Sequence, residues 1–293
     1  MMDKNVFTLV SPQTGNLAFK IYHFDDNSHF DHIQRLNYYA LIWVINGSGQ
    51  VKADFSAYSF SNGSLLAFAP YQPFMIQGSE PITGIVLNFH PDFFCIHKHQ
   101  QEVACNGVLF NNIYEPPFVP VDEAAATTFT MLLDQMKKEM QNPALAQQEL
   151  LVSYLKIFLI TASRLKTSAL STGLKEQPKG SEPFVLQNLK NFIETHYRTK
   201  HTPGEYAELL HISPKALAKI TKSHFNKTLT DLISERIIIE AKRELYLTNK
   251  AVKEIAYELG YNDEYYFSRF FKNNTAISPQ VYRDTVGFGK ASG

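Results

Sequence analysis

Between Val6 and about Phe89, short apolar runs recur between turn residues: AFKIYHF, YYALIWVING, QVKADFSAYSF, SLLAFAP, PFMIQ and GIVLNF. Their breakers are Asn46-Gly47, Asn62-Gly63, Pro70, Pro73 and Gly78. Short, evenly spaced strands with turn signals predict an antiparallel sandwich or barrel. Ala40–Ile45 is apolar on both alternating sets, which predicts a central strand buried on both faces. Asn46-Gly47-Ser48-Gly49 supplies the positive-φ positions of a tight hairpin.

The period then changes. Pro91–Val103 predicts a short helix, followed by an irregular stretch to Pro120. Asp122 caps a helix running to about Gln141, with Phe129, Leu132, Leu133 and Met136 on one face. Asn142-Pro143 breaks it, and proline suits the first turn of the next helix. That helix runs to about Lys166 with a stripe of Leu150, Leu151, Tyr154, Leu155, Phe158 and Leu159. The two form a helical hairpin over residues 122–167. They either only pack on their own barrel or also make a dimer interface; the apolar surface to spare favours the second. Ser168–Pro183 is polar, rich in breakers and without period, which predicts an interdomain linker.

From Phe184 the signal is helical throughout. Phe184, Leu186, Leu189, Phe192 and Ile193 recur at helical spacing up to Tyr197. Thr202-Pro203 opens a helix to Leu210, and Ser213-Pro214 caps one reaching about His224. Thr230 or Asp231 caps a long helix to about Leu247. Val252–Leu259 follows and stops at Gly260. Asn262 or Asp263 caps the next, to about Asn273, and Ser278-Pro279 opens a last short turn. The domains expected are therefore 1–167, a linker at 168–183, and 184–293.

Composition agrees with an ordinary globular chain: 44% hydrophobic and 19% charged over 293 residues, enough for two cores. The net charge of zero hides an asymmetry. Residues 1–180 carry 12 Lys+Arg against 15 Asp+Glu, and residues 181–293 carry 16 against 13. That basic excess fits a nucleic-acid partner without establishing one. The amino terminus lacks the pattern of a signal peptide, and the longest apolar run, Tyr38–Ile45, is far short of a membrane span. Two cysteines without a CxxC exclude a disulfide framework. A cytoplasmic protein without a membrane partner is the expectation.

The helical half contains a repeat. Ala207, Leu210 and Ile212 match Ala256, Leu259 and Tyr261 at an offset of 49, and Leu217, Lys219, Lys222 and Thr228 match Phe267, Arg269, Lys272 and Ser278 at an offset of 50. Each copy is a helix-turn-helix. The helix between them, of about 18 residues, would span ~27 Å. Successive major grooves on one DNA face lie about 34 Å apart, so a stiff spacer of that length sets two recognition helices in adjacent grooves.

With these residues in place, the stretch from about Phe184 to Arg283 resembles the DNA-binding domain of the AraC/XylS family of bacterial transcription regulators. The matching residues are Ile255-Ala256, Gly260-Tyr261, Phe267-Ser268-Arg269, Phe271-Lys272, Ser278-Pro279 and Tyr282-Arg283, with Ile212-Ser213-Pro214, Leu217, Lys222 and Ala241-Lys242-Arg243. The chain departs at three positions. Asn226 and Ala276 stand where the family usually has Gly after each recognition helix, and Thr221 stands for its usual Phe. Ala276 predicts a turn closed differently, and Thr221 a looser first unit. The resemblance implies an antiparallel β cupin-like barrel with a helical hairpin, followed by an all-α double helix-turn-helix domain. NGSGQ…SNGSLLAFAPYQPF resembles the turn-strand-turn pattern of such barrels.

By position in the family motif, Lys215, Ala218 and Lys219 of the first recognition helix and Glu264, Tyr265, Ser268 and Arg269 of the second face bases. Lys222 and Lys272 are placed for phosphates, which add affinity without sequence information. The chemistry is apt: Arg or Lys pairs with guanine, Ser bonds either way, Glu accepts from cytosine and Ala meets a thymine methyl. The bland alternative for each is a solvated helix face. Leu217, Phe267, Phe270 and Phe271 read mostly as core. In the barrel, Trp43, Phe68, Tyr71 and Phe74 either line an effector pocket or simply fill the interior.

The resemblance implies double-stranded DNA, a small-molecule effector, a second copy of the chain through helices 122–167, and RNA polymerase as partners. No cofactor is expected. A metal-using cupin enzyme fused to a helix-turn-helix would need His ligands on the strands, and Leu41–Phe89 contains none. FCIHKHQQEVAC offers Cys95, His97, His99, Glu102 and Cys105, but this set lacks a matched second pair, so no metal is expected there. An enzyme is accordingly not expected. A constitutive DNA-binding protein with a structural barrel remains the other alternative.

Overall fold

The computed structural model describes residues 6–11, 15–176 and 184–286. The chain divides into two compact units, one of Met1–Asn112 with Pro116–Thr172, the other of Ile113–Glu115 with Gly173–Gly293.

The first unit is built on two antiparallel sheets. One has six strands in the order β1 (Val6–Val10), β2 (Leu17–Phe24), β8 (Thr83–Phe89), β3 (Tyr39–Asn46), β6 (Ser64–Phe68) and β9 (Phe118–Pro120). The other orders β5 (Ser56–Phe60), β4 (Gly49–Ala53) and β7 (Phe74–Gln77). β3 is central, flanked by β8 and β6, and its two alternating sets enter two different cores. Tyr39, Leu41 and Trp43 join the core shared with the helices. Ala40, Ile42 and Val44 join the core shared with the three-stranded sheet. That is why the strand reads apolar throughout, although Ile45, at its end, is exposed.

Two expectations about turns change. The Asn46–Gly49 stretch does not close a hairpin: β3 and β4 belong to different sheets, and Gly47, at φ +99°, carries the chain from one to the other. QVKADFSAYSF is two strands, β4 and β5, hinged at Asp54 with φ +50°. Pro91–Val103 is mostly turns, with one helical turn, α1, at Gln100–Val103.

α2 (Glu123–Gln141) begins where expected, because Asp122 Oδ1 accepts from the Ala125 amide at 2.8 Å. Ala125, Phe129, Leu132, Leu133 and Met136 are buried on one face. Replacing Asp122 with Ala should cost about 1 kcal/mol through the orphaned first-turn amides. Trp43, the chain's single tryptophan, packs edge-on against Phe129 of α2 with centroids 5.8 Å apart. Its emission in a urea titration should therefore report the loss.

α3 (Gln147–Glu176) differs from expectation at both ends. Pro143 lies ahead of it, not in its first turn, and Ala146 at φ +61° turns the chain into it. At the other end the helix runs on past Lys166 through residues assigned to the linker; residues 177–183 lie outside the described ones. Ahead of that stretch Thr161 Oγ1 donates to the Ile157 carbonyl and Thr167 Oγ1 to that of Ser163, both at 2.9 Å. Leu151, Leu155, Phe158 and Leu159 are buried, with Phe158 stacked on Phe129 at 4.1 Å, whereas Leu150 is exposed.

The second unit is helical: α4 (Phe184–His196), α5 (Pro203–Leu209), α6 (Pro214–Phe225), α7 (Leu229–Leu247), α8 (Val252–Glu258), α9 (Glu264–Thr275) and α10 (Pro279–Val286). α7 is its axis. Leu232, Ile233, Ile237, Ala241 and Leu245 are buried along it. Its cap is Thr228, not Thr230 or Asp231; Asp231 instead closes the capping box by accepting from the Thr228 amide at 2.9 Å. Phe184, read as part of the apolar stripe of α4, is exposed, while Leu186, Leu189 and Ile193 are buried.

Candidate nucleic-acid interface

The sequence repeat is also a repeat of hydrogen bonds. In the turn between α5 and α6 the Ile212 amide donates to the Ala207 carbonyl at 3.1 Å; between α8 and α9 the Tyr261 amide donates to Ala256 at 2.9 Å. The residue before each donor is left-handed: His211 at φ +54° and Gly260 at φ +82°. His211 thus takes, with a side chain, the position Gly fills in the second copy.

Each following helix starts on a side-chain cap. Ser213 Oγ accepts from the Ala216 amide at 3.2 Å, and Asp263 Oδ1 from the Tyr265 and Tyr266 amides at 2.6 and 3.2 Å. Both helices also close alike. Asn226 is left-handed at φ +56° and Ala276 at φ +68°. The turn at Ala276 therefore does not close differently; Ala adopts the strained conformation, and its amide bonds to the Lys272 carbonyl at 2.7 Å.

The buried positions settle which face of each helix is outward. Leu217, Thr221 and Phe225 are buried on α6, and Phe267, Phe271 and Thr275 on α9, both sets four residues apart. Phe270 is only half-buried. Thr221 replaces a large side chain without an unpaired hydroxyl, since its Oγ1 donates to the Leu217 carbonyl at 2.6 Å. Thr275 does the same toward Phe271 at 2.8 Å.

Opposite the buried rows lie Lys215, Ala218, Lys219 and Lys222 on α6, all exposed. α9 presents Tyr265, Arg269 and Lys272, exposed, with Glu264 and Ser268 half-buried. Lys215, Ala218, Lys219 and Lys222, and likewise Tyr265, Ser268, Arg269 and Lys272, follow the spacing that puts four side chains on one helical stripe. Tyr265 is 79% exposed, a large apolar ring held in water. Tyr266 and Tyr257, exposed by 58% and 51%, were not singled out from the sequence. Two adjacent tyrosines on a helix cannot share one face, and that was the available signal. Lys222 Nζ reaches the Asn226 carbonyl at 3.4 Å, at the helix end.

The other sequence candidates do not assemble as groups. Trp43 belongs to the core under the helices, while Phe68 and Phe74 lie in the core between the sheets, stacked at 3.9 Å. Tyr71 sits at φ +54° in the turn before β7. Trp43 and the Phe68–Phe74 pair face opposite sides of the six-stranded sheet, so the four do not line one cavity. Strand residues 43 and 68 differ in face because of the pleat, a distinction the sequence leaves open.

Cys95 and Cys105 are free and buried, and burial pushes the Cys105 thiol up to about 12. His99 Nδ1 instead meets Glu102 Oε1 at 2.9 Å, and Lys156 pairs with the same carboxylate. Among the described residues no group of three or more His, Cys, Asp or Glu is placed to hold a metal ion. Among those residues, no helix is long and apolar enough to cross a membrane.

These features define a helix-turn-helix protein, and residues 206–285 match the helix-turn-helix domain family. The stretch is 38% identical over 85 residues to the HTH-type transcriptional activator Btr of Bacillus subtilis, covering 29% of this chain and 16% of that one. It is 30% identical over 109 residues to the raffinose operon transcriptional regulatory protein RafR of Pediococcus pentosaceus, covering 37% and 39%. The match thus spans less than two thirds of these relatives' lengths. HTH-type transcriptional activator RhaS of an Enterobacter species is matched from end to end, at 22% identity over 278 residues, 94% of this chain and 91% of that one. Among solved structures, wild-type ToxT of Vibrio cholerae, bound to an unsaturated fatty acid, aligns over 96% of this chain and 94% of its own with 16% identity and a TM-score of 0.41. The helix-turn-helix half of the chain is thus similar to named transcription regulators, in line with its resemblance to the AraC/XylS family.

Proposed function

We propose that this protein is a sequence-specific, cytoplasmic DNA-binding transcription regulator whose α6 and α9 both enter the major groove, and whose β unit is a cupin-like barrel that receives a small-molecule effector. The observation that carries the DNA reading is the pair of outward stripes, Lys215–Ala218–Lys219–Lys222 and Tyr265–Ser268–Arg269–Lys272, on two units closed by the same turns and caps. α7, at 19 residues or ~28 Å, approaches the roughly 34 Å that separates adjacent grooves. Lys215, Ala218, Lys219, Glu264, Tyr265, Ser268 and Arg269 read bases; Lys222 and Lys272 hold phosphates.

Dimerisation through α2 and α3 is supported by Met131, Leu150 and Ile157, which leave these helices partly apolar on their exposed sides. In a dimer, an effector would act by changing how two reading heads are presented to DNA, and activation would proceed by contact with RNA polymerase. A constitutive regulator with a structural barrel is the second reading, favoured by Trp43, Phe68 and Phe74 being packed into closed cores. Thermal shift on the full chain with sugars, aromatic acids and fatty acids separates the two: no shift with any of them supports the constitutive reading.

The DNA reading is tested on duplexes recovered by selection from a random pool with the full chain. Arg269→Ala should weaken the selected duplex by about 10- to 100-fold, roughly 1–3 kcal/mol, and relax its sequence at one position. Lys272→Ala should weaken all duplexes alike and lower the salt slope by about 1. Unchanged binding of Arg269→Ala at fixed salt would remove α9 as a base reader.

A further inference from the structure

The spacing of the two helix-turn-helix units is set by more than α7. The loop between α4 and α5, residues 197–202, reaches both units and α7 at once. Arg198 sends its side chain to α7, where Nη2 meets Glu240 Oε1 at 2.8 Å. Its carbonyl points the other way, onto the turn of the second unit. A Cβ placed on Gly260 would lie 2.2 Å from Arg198 O, and 3.2 Å from His201 Cε1. Only a glycine lets the two backbones approach so closely, and φ +82° favours glycine independently.

His201 is bound on two sides. Its amide donates to Glu205 Oε2 at 3.0 Å, and Glu205 closes the capping box of α5, the first helix of the first unit. Its ring packs on Tyr261, the residue after Gly260 in the second unit, with centroids 4.9 Å apart. Tyr261 is buried. His201 Nε2 is also buried and has no hydrogen-bond partner. The ring therefore contributes its face, not a polar bond.

The second unit is tied to the far end of α7 separately. Arg283 Nη2 donates to the Lys250 carbonyl at 2.6 Å, and Lys250 Nζ bridges Glu244 and Glu258 at 3.0 and 2.6 Å. α8 and α10 also pack against α7 beside that attachment. The contact at Gly260 and Tyr261 closes a ring that runs from α7 through Arg198 and His201 and back through Lys250. A second point of attachment, remote from the first, narrows the range of orientations the unit can take.

We infer that the junction of Arg198 and His201 with Gly260 and Tyr261 is a spacing determinant: it sets the separation and rotational phase of α6 and α9, and hence the half-site separation one chain reads. His201 and Gly260 are positioning residues that belong to neither base-reading stripe. The inference rests on the reading that both helices enter DNA.

The test uses full-length protein and a selected duplex whose two half-sites are moved apart in single base-pair steps, with Kd measured at fixed salt. Wild type should lose about tenfold or more when the half-sites are shifted by about 5 base pairs, half a helical turn. His201→Ala should flatten that dependence to within about threefold, while binding to either half-site alone stays within about twofold of wild type. His201→Phe, which keeps a ring face, should retain the wild-type profile. His201→Ala with an unchanged profile overturns the inference and leaves the two-unit reading standing. So does a loss of single half-site binding by His201→Ala, which would mark a merely structural role. A wild type that binds DNA with no phase dependence overturns the two-unit reading, and this inference with it.

Discussion

Phe267→Ala should unfold the second helix-turn-helix unit, whereas Arg269→Ala, two residues along the same helix, should leave the fold intact. Phe267 is fully buried, with its ring 5.3 Å from Tyr261 and 6.2 Å from Phe271. Phe271 in turn meets Tyr282 of α10 edge-on at 5.7 Å. Removing a buried phenyl costs about 3–5 kcal/mol, because the transfer energy is lost and the cavity does not close. A domain of this size is stable by only about 5–15 kcal/mol, so the change removes a large share of the whole. Helical circular dichroism should melt well below wild type. Trp43 emission, which reports on the β unit, should keep its own transition. DNA binding should fall for every sequence alike, unlike the position-specific loss from Arg269→Ala. A variant that melts like wild type would mean that α9 does not pack by this row.

That contrast depends on a helix whose two faces were legible in the sequence. The 49- and 50-residue offsets, the Ser213, Asp263 and Ser278 starts, and the Gly260 stop are local signals, and helices are local structures. The departures in this half were of the same local kind. Thr228 outcompetes Thr230 as a cap because Asp231 lies three residues after it and completes the box. Ala276 is left-handed because the turn is imposed by the packing of α9 and α10, which overrides one residue's preference.

The β unit was legible strand by strand and much less so as an assembly. Alternation tells which residues share a face, not which strand lies alongside. Gly47 therefore looked like a hairpin turn, although it passes between sheets. The same gap made Trp43 and Phe68 look like partners, although β3 and β6 place them on opposite faces of one sheet. The junction at Gly260 was invisible for a related reason. Gly260 had a sufficient local explanation as a helix stop, and nothing in the sequence announces that the Arg198 carbonyl lies against it.

Glu240→Gln should lower the stability of the helical unit at neutral pH by about 1–2 kcal/mol, and the difference from wild type should disappear in acid. Glu240 lies in the middle of α7 with a side chain only 6% exposed. Burial by itself would raise its pKa, but Arg243 at 2.8 Å, and then Arg236 at 3.3 Å, outweigh that and hold the carboxyl down at about 2. Arg198 adds a third guanidinium at 2.8 Å. A neutral amide leaves these cations without the charge they surround. Arg236 keeps Glu194, and Arg243 keeps Glu244, each at 2.7 Å, which limits the loss. The sign follows from the depressed folded pKa. Above about 4.5 the carboxylate is ionised whether folded or unfolded, and its full contribution is present. As pH falls toward 2 the unfolded chain takes up the proton first, so the contribution is lost through that window. The depression alone corresponds to about 3 kcal/mol, reduced to roughly 1–2 by water around the half-exposed Arg198 and Arg243. Urea midpoints followed by circular dichroism at pH 7, 4 and 2.5 should show the gap between wild type and variant narrowing stepwise. A gap that persists at pH 2.5 would show that the side chain's shape, not its charge, holds the centre of α7. Because Arg198 hangs from this carboxylate, a narrowed gap should be accompanied by a loosened preference for half-site spacing when binding is measured on the same variant.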